Sequence, residues 1–171
     1  MSDGEVKSHD TFVLPPSVVS KIDVSRLLAE LERVDNDITS EAIRHKDEEG
    51  YQPAKPLLSE QLNDFLRSNE LNLDNDHSRS ELIKQLRGLK DSVPVVHMTF
   101  ATMADRESLG KLVTWLRESA HPQTVVAVGM QPALVAGVYL RTTSHAYDLS
   151  LRAKLKENHG KLVSTLGELR G

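Results

Sequence analysis

Cysteine is absent from this chain of 171 residues. That excludes a disulfide framework, a thiolate zinc site and a cysteine nucleophile. Aromatics are scarce at 4%, so any core must be aliphatic, and the 39% of apolar residues supplies it mainly as Leu, Val, Ile and Ala. The formal net charge of −4 lacks the basic excess with which broad, non-specific nucleic-acid binders displace phosphate counterions. No apolar run approaches the roughly 18–20 residues that span a bilayer. The opening MSDGEVKSHD carries neither a secretory apolar region nor the Arg-rich, acid-poor bias of a transit peptide. These absences point to a soluble, cytosolic chain of one domain or two small ones.

Catalytic chemistry is equally thin. Gly129 and Gly137 are not arranged as a phosphate-binding loop, so neither a Walker loop nor a dinucleotide fingerprint can be drawn. No G-x-S-x-G elbow is present. The histidines (His9, His45, His77, His97, His121, His145 and His159) are scattered, with no His-x-x-x-His spacing. His97 falls on a strand, where a surface or partly buried imidazole accounts for it as well as a chemical role does. Asp47, Glu48 and Glu49 sit together in a charged loop, as ordinary solvated surface does. The sequence offers no catalytic, cofactor-binding or metal-ligating residue, and the chain reads as a non-enzyme.

What is present is amphipathic periodicity. Residues 1–14 read as a flexible tail, although Phe12, Val13 and Leu14 before two prolines either pack under the first helix or form an interaction edge. From Ser20 to His45, Val24, Leu27, Leu28, Leu31, Val34, Ile38 and Ala42 recur at helical spacing on one face. Asp23 is a good N-cap, and Ile22 before it can staple to Leu27. A second helix is predicted from Lys55 to about Ser68, with Leu58, Leu62, Phe65 and Leu66 on one side. Ser78-x-x-Glu81 is a capping-box pattern that opens a third helix running to about Asp91. Together these make a small helical bundle over residues 15–92.

The period changes at Pro94. Val96, Met98 and Phe100 alternate with Val95, His97 and Thr99, the mark of a strand with one apolar face. Asp105 can cap the following helix, whose stripe is Leu109, Leu112, Val113 and Leu116. Trp115 lies beside that stripe and is either buried on the sheet or a partner contact. Gln123 to Met130 is a β-branched strand. A Pro-led turn then feeds a strand from Leu134 to Leu140, Thr143-Ser144-His145 reverse the chain, and Ala146-Tyr147 return. Asp148 is placed to cap a last helix from Leu149 to about Leu169, with Leu151, Leu155, Leu162, Val163 and Leu166 as its apolar face. The whole is α+β: the helical bundle, then a β-α-β-β-(β)-α domain over residues 93–171.

The stretch QPALVAGVYLRTTSHAYDLSLRAKL resembles the C-terminal signature of the ATP synthase delta subunit family, whose mitochondrial member is the oligomycin-sensitivity-conferring protein. Pro132, Leu134, Gly137, Arg141, Asp148, Ser150 and Leu155 stand in the family's order and spacing. Gln131 replaces the usual acid, Ala136 the first glycine of a pair, and Leu149 the glycine after the aspartate. Thr143-Ser144-His145 stands where the family has a Gly-Asp turn. The match covers roughly the last 75 residues and is structural in character. The family's N-terminal domain is a six-helix bundle, whereas only three helices and a short fourth around 15–20 can be drawn here.

The resemblance implies a peripheral-stalk subunit that joins the catalytic head, through alpha subunits, to membrane-anchored b subunits. It implies a location at the cytoplasmic face of a bacterial plasma membrane, with membrane contact only through the complex and no nucleic acid bound. It implies that ATP synthesis and proton transport are served without being catalysed. A second expectation, from a different class, is a small α+β RNA- or ribosome-associated module. Arg141, Arg152, Lys154 and Lys156 form a modest basic cluster for it, but interleaved aromatics for base stacking are lacking.

Overall fold

The computed structural model describes residues 8–45 and 55–160. The charged run with Asp47, Glu48 and Glu49, and the apolar positions Leu162, Val163 and Leu166, lie outside the described residues. The chain is α+β and divides into two compact units. One comprises Met1–Pro94 with Gly110–Val125, the other Val95–Leu109 with Val126–Gly171. The division is therefore not the single cut near residue 92 that the change of period suggests.

In the first unit, α1 (Lys21–Arg44) packs on α2 (Glu60–Asn69) and α3 (Asp76–Ser92). The predicted stripe is buried from Val24 to Val34, while Ile38 is only half-buried and Ala42 is exposed. Each fully buried Leu or Phe contributes about 1.5–3 kcal/mol of apolar burial. Phe12 and Leu14 are buried as well, and Phe12 meets the edge of Phe65 with ring centroids 5.4 Å apart. The side chain of Asn69 ties this segment down, accepting from Val13 N at 2.8 Å and donating to Val13 O at 2.9 Å. Packing under the helices, not an interaction edge, is thus the role of Phe12 and Leu14; Val13 is exposed.

Several local predictions are corrected here. Ser20, not Asp23, caps α1, and Asp23 is the third helical residue of a reciprocal capping box. Its buried carboxylate accepts from Val19 N at 3.1 Å and from Ser20 N and Oγ at 2.9 Å. That places Ile22 in solvent, so it staples nothing. Residues 55–59 are not helical, because Ser59 caps α2. Asn75 caps α3, which puts Ser78 inside the helix and dissolves the predicted Ser78–Glu81 box. Around 15–20 the chain makes a turn, with Val18 N bonded to Pro15 O, and no helix.

One buried and one half-buried cation hold the unit's irregular segments. Arg79 pairs with Asp35 at 2.7 Å and donates to Leu73 O at 2.9 Å. Arg117, on α4 (Arg106–Ser119), donates to the carbonyls of Leu14, Pro15, Val18 and Thr124 at 2.9, 3.0, 2.5 and 3.0 Å. Burial pushes its guanidinium down to about 10, which leaves it charged at neutral pH. The helix carrying it opens as predicted, with Asp105 accepting from Ser108 N at 2.8 Å.

The second unit is built on a four-stranded sheet in the order β2-β1-β3-β4: β1 Val95–Phe100, β2 Val125–Met130, β3 Gly137–Arg141 and β4 Ala146–Ser150. Val125 N bonds to Pro94 O and Gln131 N to Phe100 O; that constant offset makes β1 and β2 parallel, joined through α4 as a βαβ unit. The other pairings are antiparallel. Cross-strand partners share a face, so the register reads out both faces directly. One carries Met98, Leu140 and Tyr147 in one row and Phe100, Val138 and Leu149 in the next. The opposite face carries His97, Arg141 and Ala146, then Thr99, Tyr139 and Asp148. After β4, α5 spans Leu151–Glu157.

Candidate functional site

The signature residues from Pro132 to Ser150 lie on the β3–β4 hairpin and its two junctions. At the first junction Pro132–Leu134 form a single 3-10 turn, not the start of the strand as predicted. Proline fits its first position because the amide it lacks has no partner there. Leu134 is the buried anchor of the turn. Val135 then adopts φ 65°, ψ −54°, closed by Ala136 N donating to Leu134 O at 2.7 Å. This is a positive-φ γ-turn, rare for any residue and strained for a β-branched one. A residue held this way costs on the order of 1–3 kcal/mol, and surrounding structure must hold it there.

Gly137 follows at φ +91°, opening β3. A Cβ there would lie 2.9 Å from Ser150 Cα and 3.2 Å from Leu149 C. Both the backbone angle and the space therefore require glycine. The strand leaves Gly137 against Ser150 and runs to Arg141 against Ala146. Thr142 N bonds to His145 O at 2.8 Å and closes the reversal at Thr143-Ser144, as predicted. His145 stacks on Tyr147 with centroids 6.1 Å apart.

At the second junction the predicted cap is displaced by two residues. Asp148 belongs to β4, which is longer than the expected Ala146-Tyr147 pair, and Ser150 caps α5 by accepting from Ala153 N at 3.2 Å. Asp148 Oδ1 accepts from Ser150 N at 3.0 Å. The Ser150 hydroxyl and amide, helped by Arg152, hold the Asp148 carboxyl below its ordinary range. Ser150 is fully buried. Leu151 and Leu155 are both more than two-fifths exposed, so the described part of α5 does not bury the predicted stripe.

Pro132, Leu134, Gly137, Arg141, Asp148 and Ser150 thus lie on one continuous turn–hairpin–cap, with Leu155 in the helix it launches. Trp115 belongs to the other unit and is 58% exposed. Sequence reasoning missed the γ-turn at Val135, for which no residue signal exists, since valine is unfavourable there. It also missed an open groove of about 1020 Å³ in the second unit, lined among others by Gln131, Tyr139, Asp148, Arg152, Lys154 and Lys156. Those residues sit on a turn, two strands and a helix, and only the fold gathers them.

Among the described residues no group of three or more His, Asp or Glu side chains is placed to hold a metal ion. No described helix is long and apolar enough to cross a membrane. No protein-family model matches the chain, and no curated protein matches it either.

Proposed function

We propose that this chain is a non-catalytic, delta-type peripheral-stalk subunit of an F-type ATP synthase. In this reading it links alpha subunits of the catalytic head to membrane-anchored b subunits at the cytoplasmic face of a bacterial plasma membrane. It resists rotor torque and so supports ATP synthesis and proton transport without making or breaking a bond itself. The carrying observation is that the delta-like signature residues from Pro132 to Ser150 fall on the turns, strand ends and cap of one continuous turn–hairpin–cap. At Gly137 the backbone admits no other residue, and at Ser150 the side chain is a buried cap. A chance match of spacing would not be expected to fall on positions so constrained. Co-purification tests the proposal: tagged alpha and b subunits should each recover this chain, and recovery of neither would end it.

A second reading, an RNA- or ribosome-associated module, draws on Arg152, Lys154 and Lys156 lining the same groove as Tyr139. It predicts salt-sensitive RNA binding by the purified chain, with the affinity falling as counterion release weakens. The stalk reading predicts none.

A further inference from the structure

β4 is the outer strand of the sheet, and no described strand pairs with its far side. The hydrogen bonds at the two ends of the β3–β4 ladder fix which of its backbone groups point outward. Thr142 N donates to His145 O at one end of the β3–β4 ladder and Leu151 N to Ala136 O at the other. Antiparallel ladders alternate bonded and non-bonded pairs, so Tyr147 and Leu149 bond to β3 while Ala146, Asp148 and Ser150 face away. The Ser150 amide is taken by the Asp148 carboxylate, which closes the edge at that point. The amides and carbonyls of Ala146 and Asp148 are left along the edge.

A solitary edge is normally blunted by charge and shortness. β4 is short and carries Asp148, yet on its other face Tyr147 is 51% and Leu149 54% exposed. They continue the apolar rows of Leu140 and Val138. An edge built only to repel strands has no use for two exposed apolar residues beside its open amides.

We propose that the β4 edge receives an extended segment of another protein, which adds a fifth strand through Ala146 and Asp148. The segment alternates apolar residues, packing beside Tyr147 and Leu149, with a basic residue set against the Asp148 carboxylate. A second copy of this chain fits less well, because two-fold pairing centred on Asp148 would oppose two carboxylates. The inference is independent of the stalk reading.

The test uses the full chain and an end-capped, fluorescein-labelled heptapeptide that alternates valine with lysine. At saturation the Ala146 and Asp148 amides should exchange about tenfold or more slowly, while those of Tyr147 and Leu149, already bonded to β3, change less. Glutamate in place of lysine should weaken binding about tenfold. Asp148→Asn keeps an acceptor for Ser150 N but removes the charge, and should weaken binding several-fold. Ala146→Pro, tolerable on an edge, should abolish it; if that variant misfolds, Asp148→Asn decides. Unchanged Ala146 and Asp148 amides at millimolar peptide, or indifference to the lysine-to-glutamate exchange, would overturn the proposal. So would sedimentation as a dimer that Ala146→Pro converts to monomer, since the occupant would then be a second copy.

Discussion

Replacing Gly137 with alanine tests the geometry of the hairpin at its tightest point. Two terms add. An L-residue held at left-handed φ costs about 1–2 kcal/mol. The new methyl group would sit within 3.0 Å of the backbone at Ser150, where no side chain can rotate out of the way, and overpacking of that kind costs about 1–3 kcal/mol. The sum, about 2–5 kcal/mol, is a large fraction of an ordinary domain's stability of 5–15 kcal/mol. Fluorescence of Trp115 is the wrong probe, because that residue belongs to the other unit. Amide exchange across Val138–Leu140 and Tyr147–Leu149 reads the right one, and its protection should fall at least about 30-fold, since each 1.4 kcal/mol is a factor of ten. Gly160→Ala is the control, because a Cβ there meets nothing within 4 Å. If Gly137→Ala left hairpin protection within about threefold of the parent, either the positive φ or the approach of Leu149 and Ser150 would be wrong.

Three further outcomes follow from the same contacts. Arg117→Met leaves four carbonyls without their shared donor and should cost the first unit about 3 kcal/mol; an urea midpoint by Trp115 fluorescence unchanged within error would refute that anchoring. Asp23→Ala removes the acceptor for two amides and a hydroxyl at the start of α1 and should lower stability by about 2 kcal/mol in the same assay. Asp148 has a depressed pKa in the fold, so its contribution is present above the unfolded value and disappears as pH falls through the folded one. A carboxyl NMR titration should give a midpoint below the ordinary 3.8, and Ser150→Ala should raise it; a midpoint at or above 3.8 would contradict the hydrogen bonds drawn here.

Much of the fold was legible because burial is periodic. The residues Val24, Leu27, Leu28, Leu31 and Val34 are spaced for a helix face, and they are buried on one. Val96 and Met98 are spaced for a strand face and are buried likewise. Caps were less legible, for a physical reason. Ser20 and Asp23 are both competent N-caps, and so are Asp148 and Ser150; which of each pair takes the position depends on where the chain before it runs. The burial of Asp23 against Val19 N settles the first choice, and the reach of β4 to Ser150 settles the second. The strand predicted from Leu134 failed because apolar residues suit a buried turn as well as a strand, and only pairing with a neighbour distinguishes them.

The candidate site divides in the same way. Its residues could be named because their order and spacing resemble the family signature, and the glycine and the turn proline are also chosen by local backbone chemistry. The groove, the exposed apolar rows and the outward amides of Ala146 and Asp148 could not be named, since they depend on which strand ends the sheet. The grouping of Gly110–Val125 with the helical residues was likewise not legible, and it brings Arg117 within hydrogen-bond reach of Leu14, Pro15 and Val18. The sequence by itself determined the class of fold, the apolar faces and the glycine at 137. Tertiary structure decided the caps, the edge and the division into units, because each is a choice among locally equivalent alternatives that only distant partners can break.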